Sequence, residues 1–281
     1  MKRVDLYPKK RAYTGLIIVV LALVLTPNAN AYFVRPFTQI DGGGLIDGLI
    51  ENGAPSASHH FGTEYQSTVN LADGTVKSYL DYQGPAAFSQ VGGSFGERLT
   101  FSNAQGTNID FSFAFDGIIN ASPVLPGSGQ PLTMIVSSTL YVHDPGTGAT
   151  WQNFNTIGGE LIGESSFDQS LGDPPGDFIN KPFADILSGS LAVGTQDTFD
   201  VFASLSLLVS TQDPTHVTMD FLNTATFGVQ TDPGVNFNSA SGVFLTGATS
   251  TPLQVPVPGA MALVTMGLLG LRVIPRRQTN A

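Results

Sequence analysis

No cysteine occurs in the 281 residues of this chain. That excludes thiol catalysis, cysteine-ligated zinc and iron–sulfur clusters. It also excludes disulfides, so any domain built from this chain is held by core burial alone. Bases are scarce too: 12 Lys and Arg stand against 22 Asp and Glu, a net charge of −10. Most of the bases crowd the two ends. Lys2, Arg3, Lys9, Lys10 and Arg11 open the chain, and Arg272, Arg276 and Arg277 close it. The middle keeps Arg35, Lys77, Arg98 and Lys181, four bases against 21 acids, and so carries a net −17. Such a body repels phosphate backbones and anionic lipid heads, which excludes nucleic acid as a partner. Tryptophan occurs once, histidine four times, and no long stretch of the middle has helical period.

Glycine (32 residues) and proline (18) are abundant, and between them lie short runs with a period of two, the signature of strands. In IDFSFAFDG, Ile109, Phe111, Phe113 and Phe115 share one face and Asp110, Ser112, Ala114 and Asp116 the other. Phe199, Val201, Ala203, Leu205, Leu207 and Val209 form a second such face. Val217, Met219 and Phe221 form a third; Met134, Val136, Ser138, Leu140 and Val142 form a fourth. STVNLADGTVKSYL reads as a hairpin with Asp73-Gly74 in its turn. Two segments carry a weaker helical expectation: one turn over Leu45–Ile50, and a short helix after Pro182 within 173–188. The spacing of the remaining strands predicts an all-β, antiparallel β-sandwich, jelly-roll-like, whose sheets have one packed face and one wet face. No linker divides it.

Chemistry is thinly signalled. His59-His60 is the conspicuous pair, but neighbours on a strand point to opposite faces and rarely share a metal. FDQSLGDPPGD puts Asp168, Asp173 and Asp177 in a turn-rich stretch. Hard Ca²⁺ takes such carboxylates, yet the spacing departs from the D-x-D-x-D-G loop, and a solvated acidic loop is the plainer reading. No resident cofactor is expected. There is no G-x-S-x-G, H-E-x-x-H or P-loop. Most acids alternate with apolar strand residues or adjoin Gly and Pro, which places them in water rather than in the buried setting a catalytic acid needs. The expectation is therefore a non-enzyme, with a glycoside hydrolase as the minor alternative. Aromatics number 27, of which 19 are Phe, a composition that favours core over sugar platform. Trp151, after a Gly-rich turn, with Tyr141 upstream, forms the candidate lip of a glycan site.

The ends read as addresses. Residues 1–31 have a basic start, an apolar run from Gly15 to Leu25, a break at Pro27 and an A-x-A site at Ala29 and Ala31. That is the layout of a secretory signal peptide cut after Ala31 by signal peptidase. Residues 251–281 carry Pro256 and Pro258, then an apolar run from Gly259 to Leu271, then Arg272, Arg276 and Arg277. As a helix that run is about 20 Å long against a bilayer core of about 30 Å. The arginines hold its end on the cytoplasmic side. A stop this short, behind Pro-x-Pro, fits a processing signal better than a lasting anchor.

Val255, Pro256, Val257 and Pro258, then Gly267-Leu268-Leu269-Gly270-Leu271, then Arg276-Arg277, resemble the PEP-CTERM protein-sorting signal of Gram-negative, exopolysaccharide-producing bacteria. The match covers about 25 residues; Val257 stands where that family most often has glutamate, and Pro275 interrupts the end. The resemblance implies recognition by exosortase, a membrane cysteine protease, after transient insertion of the tail into the inner membrane. It implies a cell-surface or extracellular destination for residues 32–250, and a structural or adhesive role in a polysaccharide or biofilm matrix. A carbohydrate-binding, lectin-like module, with or without Ca²⁺, is the competing expectation.

Overall fold

In the computed structural model the described residues are 32–246, apart from 124–131, 151, 157–159 and 172–177. At 85–87, 123, 160–163, 165–171, 178–179, 212–214 and 224 the description covers the backbone alone. Within this span the chain is strands, turns and one short 3₁₀ turn at Pro145–Thr147. The strands are β1 (Tyr32–Gln39), β2 (Ile46–Asp47), β3 (Ile50–Glu51), β4 (Ser56–Phe61), β5 (Tyr65–Asn70), β6 (Thr75–Ser102), β7 (Asn108–Pro123), β8 (Leu132–His143), β9 (Glu160–Leu171), β10 (Phe178–Ala192), β11 (Thr198–Thr231) and β12 (Asn236–Ser239). All pair antiparallel.

Two strands are far longer than the rest: β6 has 28 residues and β11 has 34. They pair with each other along most of their length and serve two sheets in turn. The late half of β6 and the early half of β11 lie between β1 and β8, with β9 outside β8, and this is sheet 1. β12 continues the edge along which β1 lies. The early half of β6 and the late half of β11 lie between β5 and β7, with β4 and β10 outside them, and this is sheet 2. Both long strands change sheets at one level. The register shifts there, Thr211 standing opposite Ala86 and Thr215 opposite Gly84, and Gly84 takes a positive φ of 130°. Bulges with a glycine are the usual means of turning a strand through a corner.

The two sheets face each other. Phe95 of sheet 1 meets Phe113 and Phe227 of sheet 2 edge-on, with centroids 6.5 and 5.8 Å apart. Such pairs add about 0.5–1.5 kcal/mol each beyond the area they bury. Ser67 of β5 donates its Oγ–H across the gap to the Gly92 carbonyl at 2.6 Å. The period-two faces read from the sequence supply this interior: Ile109, Phe111, Phe113 and Phe115, the odd positions from Phe199 to Val209, and Met134 to Val142 are buried together. Ser138 is buried among them, on the face where the alternation put it. The β5–β6 hairpin turns over Leu71–Gly74, with Gly74 at φ +63°.

Three local expectations are corrected. Leu45–Ile50 makes no helical turn; Ile46–Asp47 and Ile50–Glu51 each bridge to β1, whose free edge offers the backbone partners that a Gly-rich segment cannot supply itself. The stretch after Pro182 is no helix; it is part of β10, the outer strand of sheet 2, where a missing N–H is tolerated. Asp168 is not in a loop; it lies in β9 opposite Ile135. Asp173 and Asp177 lie outside the described residues.

Candidate functional site

Sheet 2 turns a polar face to solvent, assembled from strands far apart in sequence. Outward positions on β5, β6, β11 and β7 line up in rows: Gln66, Tyr79, Asp220 and Ile118 in one, and Asp81, Thr218 and Asn120 in the next. His216 contacts Asp81, Nε2 to Oδ1, at 2.8 Å. Asn120 donates from Nδ2 to Thr218 Oγ1 at 3.2 Å and accepts from the Asn180 backbone N–H at 2.6 Å. Tyr79 stands between two carboxylates. Partial burial pushes its hydroxyl above the usual phenol range, and the charges of Asp81 and Asp220 add to the shift. The hydroxyl therefore stays protonated and remains a donor at neutral pH. Ile118 is exposed beside this group. Donors and acceptors at strand spacing around one aromatic ring are suited to a polyhydroxylated surface.

Sheet 1 differs, because one end of its outer face is covered by aromatic rings. Phe33 and Phe202 lie over Gly96, where any Cβ would strike both rings. Phe154, from the segment after β8, stacks on Phe202 at 5.2 Å and 3°. The expectation of one wet face per sheet thus holds for sheet 2 and for the part of sheet 1 that carries Ser204, Ser206, Ser137 and Thr139, while the chain after β8 folds back over the end at Gly96 and Phe202. Tyr141 belongs to this cluster. It is half-buried, stacked on His143 at 5.9 Å and met edge-on by Phe154. Burial, with the Glu164 charge behind it, raises its hydroxyl above the usual range. Beside it Arg98 grips Asp200 with two hydrogen bonds of 2.6 and 2.8 Å, and that partnership lifts the guanidinium further above its usual range.

The other sequence candidates scatter. His59 and His60 sit on β4, His143 is buried in the outer cluster of sheet 1, and His216 is on sheet 2. Among the described residues no group of three or more His, Asp or Glu is placed to hold a metal. Nor is any helix among them long and apolar enough to cross a membrane. Trp151, the cleavage pair Ala29 and Ala31, and the sorting residues Val255, Pro256, Pro258, Gly267, Gly270, Arg276 and Arg277 lie outside the described residues.

Two acids are exceptions to the expectation that most carboxylates lie in water. Asp200 is 7% exposed and Glu97 1%. They do not converge on one cleft: Asp200 pairs with Arg98 on the outer face, whereas Glu97 stands opposite Val201 on the inner face. Glu97 Oε1 accepts from the backbone N–H groups of Arg98 and Ser241, both at 3.1 Å, and Oε2 is buried without a partner. Burial pushes its carboxyl up to about 7, against a smaller downward pull from the hydrogen bonds of Ser241, Ala240 and Arg98. A signal for Glu97 was present in the alternation Val91, Gly93, Phe95, Glu97, Leu99, Phe101, which puts it on the core face. The sheet 2 face had none, because its residues meet only through strand register.

No family model matches the chain, and no curated protein does. Among solved structures it is similar to that of TmCBM61 in complex with β-1,4-galactotriose, at 8% identity and a TM-score of 0.23, over 64% of this chain and 90% of the other. A likeness at that score bears on neither fold nor ligand.

Proposed function

We propose that this chain is an exported surface or matrix protein, an acidic β-sandwich of jelly-roll-like form delivered by a cleaved signal peptide and released or anchored through an exosortase-type tail. One observation carries the reading: a signal-peptide layout at residues 1–31 and a V-P-V-P, G-L-L-G-L, Arg-Arg tail bracket a body with a net −17 and no cysteine. The role follows as structural or adhesive, in contact with extracellular polysaccharide. Signal peptidase and exosortase are its processing partners. The test is mass spectrometry of the protein recovered from the cell surface or medium. Absence of every peptide from Arg272 to Ala281, with residues 32–246 covered, supports processing; recovery of Arg276-Arg277 peptides makes the tail a plain anchor.

A second reading, a carbohydrate-binding module, is favoured by the sheet 2 face, where Tyr79, Asp81, His216, Thr218 and Asn120 present alternating donors and acceptors around a ring. Glycan-array binding that is lost in Tyr79→Ala supports it and places the ligand there. Loss in Trp151→Ala with Tyr79→Ala unaffected moves the site to the lip read from the sequence. No binding, with or without calcium, sinks the reading.

A further inference from the structure

The last described residues form a strap across the interior. After β12, Ala240 N–H donates to the Arg98 carbonyl at 2.9 Å and Ser241 N–H to Glu97 Oε1 at 3.1 Å. Phe244 then enters the core between Phe95 and Phe227, with ring centroids 5.7 and 5.3 Å away. Leu245 N–H donates to the Leu71 carbonyl at 3.0 Å. Gly74 leaves room for the Leu245 side chain: a Cβ there would lie 2.6 Å from Leu245 Cδ2. The strap thus ties sheet 1 to the β5–β6 turn of sheet 2, and Glu97 lies beneath it.

Glu97 is a poor choice for a purely structural acceptor. One oxygen accepts from the strap backbone, and the other is buried with no hydrogen-bond partner within reach among the described residues. Among the described residues its surroundings offer no counter-charge. Opposite it stand Tyr32 on β1 and Val201 on β11, and the strap brings Ser239 and Ser241. Arg98, next in sequence, turns to the other side of the sheet and is held there by Asp200. A carboxylate sealed in such a place is strongly disfavoured, whereas the neutral acid is tolerated.

We propose that Glu97 is a proton-controlled latch for residues 239–246: the strap closes over the protonated acid and opens when the acid ionises. The driving force is linkage. Opening admits water to the carboxyl, so the open form releases a proton that the closed form retains. With the carboxyl at about 7 when closed and at its ordinary 4.5 when open, the opening equilibrium shifts by up to about 300-fold, tenfold for each pH unit. The shift builds as pH rises between those two values. Opening would release residues 239–246 from the core, whether or not the residues that follow are a sorting signal.

Hydrogen exchange of the full secreted chain at pH 5, 6, 7 and 8, corrected for intrinsic rates, tests this. The expected result is that the amides of Ser241, Phe244 and Leu245 lose protection as pH rises while those of Phe111 and Phe113 do not, and that Glu97→Gln abolishes the pH dependence. Strap and β7 amides that change in parallel overturn the latch, and so does a Glu97→Gln variant that keeps the loss. Should that variant fail to fold, carbon-13 titration of Glu97 in the wild type decides. A midpoint shared with strap opening supports the latch, and a separate midpoint overturns it.

Discussion

Placing a methyl group at Gly93 tests how the two sheets meet. Gly93 lies in the sheet 1 half of β6. A Cβ there would stand 2.6 Å from Val69 Cγ2, 3.0 Å from Val76 Cγ1 and 3.2 Å from Ser67 Oγ, all of them in sheet 2. Both valines are fully buried, so neither methyl can swing into solvent. Gly93→Ala therefore overpacks the interior and costs about 1–3 kcal/mol. Val69→Ala alone removes two buried methyl groups and leaves a cavity, at about 2–3 kcal/mol. In the double variant the new methyl occupies space that Val69 has vacated, so the combined loss falls short of the sum by about 1 kcal/mol or more. Urea unfolding followed by far-ultraviolet circular dichroism measures all four proteins, provided the slopes agree. Additivity to within about 0.5 kcal/mol would refute the facing of the two halves of β6, and with it the sandwich as described.

Other consequences follow from single contacts. The folded chain keeps the Glu97 proton up to about pH 7, and the unfolded chain gives it up near 4.5. This contribution is therefore full below pH 4.5 and lost as pH rises through 7, on the order of 3 kcal/mol in all, and Glu97→Gln should flatten that part of a stability–pH curve. Asp200→Asn leaves Arg98 with a weaker partner at a mostly buried site; chemical denaturation should show a loss of about 1–3 kcal/mol. Gly96→Ala should displace Phe33 and Phe202 and cost about 1–3 kcal/mol, visible as a lowered thermal midpoint.

Much of the interior was legible because strand periodicity is local. Ile109 to Phe115 and Phe199 to Val209 declare their faces by alternation, and the same rule puts Glu97 inside, on the row Val91, Gly93, Phe95, Glu97, Leu99 and Phe101. Tertiary pairing decided the rest. Pro182 suggests a helix start, but β7 offered its neighbours a ladder. Leu45–Ile50 lies beside the unpaired edge of β1, and that edge claimed it. The corner at Gly84 and Thr215 was beyond reach, because nothing local says that two strands bend at the same level. The sheet 2 face was hidden for a related reason: Asp81 and His216 are 135 residues apart and meet through register alone.

The scarcity of bases bears on what that face can hold. Arg35 is engaged with Asp47 at 2.8 Å and Arg98 with Asp200, both on sheet 1, so two of the body's four cations act as internal pins. On the outer side of sheet 2 Lys77 stands opposite Thr68, and the imidazole of His216 is turned to Asp81. An anionic polymer approaching this face meets the carboxylates of Asp81 and Asp220 in a body of net −17 and is repelled, more strongly as salt is lowered. A neutral polyol meets instead the Tyr79 hydroxyl, the Asn120 amide and carboxylate acceptors, with no charge of its own to be repelled. Under the carbohydrate-binding proposal, then, the ligand class narrows to uncharged sugars, and its binding should depend on ionic strength far less than its exclusion of charged ones.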